Sequence, residues 1–274
     1  MVSPNYAVER ILDDLGIIQD DLKHLERLVW IRGAIIRYEP LHGAEARLTT
    51  LGKRAIITIS TSVQNQRRQR FSIAHELGHL EMHCHTRNIF LCTSKDISES
   101  LMQSPDANQE QEANEFAATL LLPQRFFAPL CNKVDPSLDF IAELASEFEV
   151  SITATAIRYL KFCDEACAIV LTQNGQTRWF HASKAFKEIG LFIDVRCKVD
   201  PTTLAGALST NTALQHIAPK RVKASAWFSS GQYRRDATIL EQSWPMPSYD
   251  AVLTLLWVDD EINSEDHYYH RGVL

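Results

Sequence analysis

Five residues, His75-Glu76-Leu77-Gly78-His79, limit this chain more than any other part of it. Residues four apart on a helix share a face, so His75 and His79 can reach one metal ion. Glu76 follows the first histidine and can point at a water on that metal. Two neutral imidazoles, an open coordination position and a carboxylate base are the minimum equipment of a zinc hydrolase. The bare motif also arises by chance, and a helix with two partly buried histidines is the plain structural alternative. The neighbouring residues weigh against that alternative. Ser72 reads as an N-cap, and Phe71, Ile73, Ala74, Leu77, Gly78 and Leu80 make the helix apolar nearly all round. A charged Glu76 in such a helix needs a partner, which a metal and its water supply.

A catalytic zinc usually takes a third protein ligand. His85 stands ten residues after His75, the spacing of H-E-x-x-H-x-x-G-x-x-H, but Met82 occupies the glycine position and the sharp turn is not encoded. His83 and His85 read instead as the end of the helix, where histidines suit the negative pole. The other candidate lies in Glu110–Pro123, EQEANEFAATLLLP, which reads as a helix ended by proline. Glu110, Ala113, Asn114, Ala117 and Leu121 fall on one stripe; Glu112, Glu115 and Thr119 fall on another that reads as solvent-facing. Burying a carboxylate beside alanines is costly unless it binds a cation. Glu110 is therefore the expected ligand and Glu112 a surface residue. Asn114, one turn on, is placed to support Glu110 or a ligand histidine.

FSIAHELGHLEMH followed by ExxANEFAATLLLP resembles the ImmA/IrrE family of metallo-endopeptidases, and the resemblance covers roughly residues 5 to 165. It implies a gluzincin-like site with zinc on His75, His79 and Glu110 and with Glu76 as the base. Manganese or iron would suit the same ligands, but zinc is the better match. The substrate it implies is a protein, a helix-turn-helix transcriptional repressor cut in a stress or mobile-element response. Arg125, Tyr38 and His181 are candidate oxyanion donors. The alternative is a non-catalytic regulator that binds DNA or a repressor; a purely structural zinc site is disfavoured, because such sites have four ligands and are rich in thiolate.

The expected fold class is α+β: a zincin-like metallopeptidase domain, small sheet plus H-E-x-x-H helix, over residues 1–130. A helix-turn-helix-like segment follows at 131–165 and a mixed α/β domain, possibly sensor-like by analogy, at 166–274. Residues 5–16 and 20–32 read as helices. The segments 34–38, 44–50 and 54–60 read as strands of a small antiparallel sheet. The resemblance favours Arg54–Ser60 as the open edge on which a peptide could add itself. Arg67, Arg68 and Arg70 read as a loop before the metal helix that pairs with carboxylates, and 86–108 as one long loop. Leu138–Phe162 has helix-turn-helix spacing, with Ala154, Ile157 and Leu160 inward. Only Arg158 and Lys161 there are available to face DNA, so packing is favoured over groove binding. Asn174-Gly175 marks a hairpin, and 201–216 reads as helical.

Net charge is −6, which does not favour a phosphate-binding surface. With 45% hydrophobic residues there is ample core, no signal pattern and no membrane-length apolar run, so a soluble cytoplasmic protein is expected. The six cysteines, Cys84, Cys92, Cys131, Cys163, Cys167 and Cys197, are scattered like reduced thiols. Cys163 and Cys167, four apart, are weak metal candidates, and Cys92 reads as a plain thiol. Oligomeric state is not encoded in any motif.

Overall fold

The computed structural model describes residues 3–52, 54–83, 89–92, 105–210, 218–229 and 236–258. The chain divides into two compact units, Met1–Phe127 with Ala145–Ala154, and Ala128–Leu144 with Thr155–Leu274. Both mix helix and sheet, so the chain is α+β. No described helix is long and apolar enough to cross a membrane.

In the first unit α1 (Pro4–Asp14) begins at Ser3, whose hydroxyl accepts the Tyr6 amide at 3.3 Å, and buries Ala7, Val8, Ile11 and Leu12. The stretch expected as a second helix is broken: a 3₁₀ turn at Gln19–Lys23 is separated by His24 from α2 (Leu25–Ile31). Strands β1 (Ala34–Glu39), β2 (Ala46–Leu51), β3 (Arg54–Ser60) and β4 (Ile89–Cys92) form one sheet in the order β1-β3-β2-β4.

Two sheet expectations fail. The sheet is mixed, because β1 runs parallel to β3 while β2 is antiparallel to both β3 and β4. Arg54–Ser60 is central, not an edge. Its residues Ile57, Thr58, Ile59 and Ser60 are buried in succession, on both faces, as suits a strand covered on each side. The edges are β1, which exposes Ile35 and Tyr38, and β4, which lies within the segment read from sequence as a loop.

The helix that carries the H-E-x-x-H motif also starts earlier than expected. It is α3 (Gln66–His83), and Asn65, not Ser72, caps it by accepting the Arg68 amide at 3.2 Å. Ser72 is buried in mid-helix. The three arginines sit on the first turns of α3 rather than in a loop, and two do meet carboxylates: Arg68 with Glu45 at 2.7 Å and Arg70 with Glu149 at 3.1 Å. Then α4 (Pro105–Leu121) packs along α3. Gly78 makes the close approach possible, since a Cβ there would meet the Phe116 ring at 3.1 Å. α5 (Gln124–Phe127) follows Pro123.

Helices α6 (Leu138–Glu147) and α7 (Ile152–Phe162) carry the expected helix-turn-helix spacing, and the division between the units runs through both. The turn is a Schellman motif: Glu149 takes the left-handed conformation at φ 54° and the Val150 amide reaches the Ala145 carbonyl at 2.9 Å. Ser151 caps α7 by accepting the Ala154 amide. The inward face of α7 is Thr155, Ala156, Arg158, Tyr159 and Leu160, whereas Ala154 and Ile157 are only half-buried. Arg158, expected as a surface cation, lies over the Phe162 ring at 5.0 Å.

The second unit is built on a five-stranded antiparallel sheet, β5 (Ala166–Gln173), β6 (Gln176–Ala182), β7 (Lys220–Lys223), β8 (Thr238–Met246) and β9 (Ala251–Val258), in the order β6-β5-β9-β8-β7. Asn174 and Gly175 have φ of 53° and 68°, the two left-handed residues that a tight hairpin requires. Helices α8 (Lys184–Ile189) and α9 (Leu204–Thr210) help cover a core that includes Phe186, Leu208, Trp227, Ile239 and Leu256. Within the stretch read as helix from 201 to 216, residues 211–216 lie outside the described residues, as do His85, Cys84 and the tail 266–274.

Candidate metal centre

Three elements bring the site together. α3 supplies His75 and His79 one turn apart, α4 supplies Glu110 and β4 supplies Cys92. One ligand atom from each of these four side chains lies within 4.8 Å of all the others. The two Nε2 atoms are 3.1 Å apart. Glu110 Oε2 is 3.0 Å from His75 Nε2, and Glu110 Oε1 is 3.3 Å from His79 Nε2. Cys92 Sγ stands 3.1 Å from His75 Nε2 and 3.8 Å from Glu110 Oε2. His75, His79 and Cys92 are fully buried, and the Glu110 side chain is 19% exposed.

The outer contacts decide which way the imidazoles face. Asn114 Oδ1 lies 2.9 Å from His75 Nδ1 and can only accept, so Nδ1 carries the proton and Nε2 turns a lone pair inward. A second chain of contacts orients His79. Glu112 Oε2 accepts from His83 Nε2 at 2.9 Å, which leaves His83 Nδ1 as acceptor for the His79 Nδ1–H at 3.1 Å. His79 Nε2 is then a lone pair as well. Phe90 of β4 stacks on the His79 ring with centroids 4.5 Å apart.

Two inward lone pairs facing a carboxylate repel each other unless a cation lies among them. Protonating the imidazoles would relieve this, but burial lowers the His79 pKa and opposes it. The cluster thus offers neutral nitrogens, a carboxylate and a sulfur, a donor set suited to a zinc-like divalent metal.

Glu76 completes the centre. It is fully buried, and neither carboxylate oxygen makes a well-formed hydrogen bond. Burial raises its pKa to about 7, against smaller lowering effects from His75, the Cys92 thiol and the Leu48 backbone. An orphaned buried carboxylate is expensive and is seldom kept for packing alone.

The structure thus brings together His75, His79, Glu76, Glu110 and Asn114, the residues singled out from sequence. It corrects the reading of the other stripe of α4. Glu112 is half-buried on His83 rather than free in solvent, and Thr119 is buried and donates to Asn5 Oδ1 at 2.9 Å, because α1 packs across that side. Cys92 and the His83–Glu112 pair are the members that sequence reasoning missed. The only signal for His83–Glu112 was a histidine four residues after His79. Cys92 had none, since its place follows from β4 pairing with β2. Of the proposed oxyanion donors, Arg125 is engaged by Glu9 and Asp13, and Tyr38 is on β1, at the opposite edge of the sheet from β4. His181 belongs to β6 of the second unit. Among the described residues no third ligand joins Cys163 and Cys167.

Comparison with known proteins gives three findings. A Mycobacterium tuberculosis transcriptional regulator of known structure superposes with a TM-score of 0.59 at 16% identity, over 93% of this chain and 75% of that one. At that identity the likeness is one of fold. No curated protein sequence matches the chain. Residues 32–160 match the family model of the IrrE N-terminal-like domain, peptidase family M78, and they span every residue of the centre described above. The match places an IrrE N-terminal-like domain of the M78 peptidase kind at residues 32–160 of this chain.

Proposed function

We propose that the protein is a zinc-dependent endopeptidase with a zincin-like first unit. Its protein substrate would be a helix-turn-helix transcriptional repressor, cut in the cytoplasm during a stress or mobile-element response. His75, His79 and Glu110 would hold the metal. A divalent ion in such a site supplies Lewis acidity toward a water and toward the carbonyl to be cut. Glu76 takes the proton from the attacking water and returns it to the leaving amine, a task for a carboxyl poised near neutrality. Asn114, and His83 backed by Glu112, fix the imidazole tautomers so that both nitrogens stay available.

The observation that carries this reading is Glu76: a fully buried carboxylate without a hydrogen-bond partner, beside donors that already satisfy a metal. The helix-turn-helix spacing of α6 and α7 is read as packing. The second unit is read as a sensor by analogy only. The test is incubation of zinc-loaded protein with its cognate helix-turn-helix repressor, analysed by intact mass. Wild type should give two fragments and Glu76→Gln none. Equal behaviour of the two proteins would end the peptidase reading.

A further inference from the structure

The sequence reading leaves one coordination position open for water, but the structure sets a fourth protein donor beside the other three. We propose that Cys92 is a fourth metal ligand, entering as a thiolate, and that it closes the site in the resting protein. The peptidase is therefore latent until that sulfur leaves. The proposal rests on the metallopeptidase reading above and deepens it.

Three observations support it. The first is spacing. Bond lengths of about 2.0–2.3 Å to a tetrahedral metal put its ligand atoms about 3.3–3.8 Å apart. The contacts among the four side chains run from 3.0 to 3.8 Å and all four ligand atoms lie within 4.8 Å of one another, so small shifts of a few tenths of an ångström would seat all four on one ion. The second is polarity. A thiol proton could satisfy the lone pair of His75 Nε2, but it could not also satisfy His79 Nε2 and two carboxylate oxygens; one cation answers all of them. The third is the fold. Cys92 is fully buried at the end of β4, a four-residue edge strand held to the sheet by β2, with Ala46 as its paired residue. The same strand lays Phe90 on His79. β4 therefore delivers its thiol to the place where a peptidase would take up water.

Binding would release the thiol proton to solvent and form the metal–sulfur bond. On opening, that bond would break, a water would take the vacated position and the sulfur would regain a proton from solvent, with no change at His75, His79 or Glu110. Glu76 distinguishes this site from a permanently structural four-ligand one: a structural site has no use for an orphaned carboxylate beside the sulfur.

Cobalt(II) alone is the probe, because thiolate ligation gives it an intense near-ultraviolet charge-transfer absorption. The full-length protein is loaded with one equivalent and compared with Cys92→Ser and Cys92→Ala, after circular dichroism has shown that both variants fold. Wild type should show the charge-transfer absorption, and both variants should lose it while still binding cobalt, at least tenfold more weakly. Azide should then alter the visible cobalt bands of Cys92→Ala but not those of wild type. Cobalt bound to wild type without the charge-transfer absorption, or an absorption that survives in Cys92→Ser, overturns the proposal and leaves the three-ligand reading standing. Failure of wild type to bind cobalt overturns both. If neither variant folds, alkylation of wild type mapped by mass spectrometry decides: protection of Cys92 by cobalt supports ligation, and equal labelling with and without metal refutes it.

Discussion

Among the described residues two carboxylates are wholly removed from solvent, Glu76 in the first unit and Glu241 in the second. Glu241 is fully used. It accepts from the Ala205 amide at 2.8 Å, the Ser243 hydroxyl at 3.0 Å and the Trp227 indole N–H at 3.2 Å. These contacts tie β8 to the start of α9 and to Trp227. Glu76 has no well-formed hydrogen bond of this kind, and it lies beside metal-binding donors. Burial raises the pKa of both. The difference lies in what compensates it. A buried charge whose lone pairs are all engaged is structural, whereas one left unengaged beside a donor cluster is kept for something that arrives later.

The largest effect that would separate them is catalytic. Glu76→Gln should lower the rate of repressor cleavage by about 10²–10⁴-fold, while its unfolding midpoint equals or exceeds that of wild type. The pH dependence gives a second reading in metal-free protein. Folding raises the Glu76 pKa from 4.5 to about 7, so the native state holds the extra proton between those values. Wild type should therefore lose stability relative to Glu76→Gln as pH rises from 4.5 through 7, and denaturant unfolding across that range would show it. A gap that widens toward acid would contradict the burial argument.

Next is Glu241→Ala, which strands three donors. At about 1–3 kcal/mol for each unmet buried group, a loss of about 3 kcal/mol or more in denaturant unfolding is expected, with metal content unchanged. If this variant lost metal, or if Glu76→Gln lost comparable stability, the contrast between the two carboxylates would fail. Smaller again is the effect of the outer contacts on metal affinity. Glu112→Ala and His83→Phe should each weaken zinc binding by about 10–100-fold, measured by competition with a chromogenic chelator, because they release the tautomer of His79. The smallest is Gly78→Ala. The added methyl meets Phe116, so overpacking of about 1–3 kcal/mol is only partly offset by the better helix propensity of alanine, about 1 kcal/mol. A modest drop in thermal midpoint is expected.

How much of this the sequence revealed depended on whether the contacts were local. The pairing of His75 with His79 is a property of one helix turn. Choosing Glu110 over Glu112 needed only the stripe on α4 that carries the alanines. Asn174-Gly175 declared its hairpin because two successive left-handed residues are rare elsewhere. Where the deciding partner was remote, the reading failed. Glu112 looked exposed because nothing in its own helix hints at His83. Thr119 looked exposed because α1, more than a hundred residues earlier, covers it. Arg54–Ser60 is no edge: its unbroken buried run is what a central strand requires, but its neighbours on β1 and β2 are not visible from its own residues. Cys92 was read as an ordinary thiol because its position is set by strand pairing alone. The start of α3 was misplaced because Ser72 and Asn65 are both good caps, and only Asn65 has a free helix end to cap.

The central claim is that His75, His79 and Glu110 hold a catalytic divalent metal, and elemental mass spectrometry on purified protein tests it most directly. The account predicts about one zinc per chain in wild type, nearly none in Glu110→Ala, and metal retained but more readily stripped by chelator in Glu112→Ala, with all three proteins folded. Wild type without metal, or equal metal in wild type and Glu110→Ala, would contradict it.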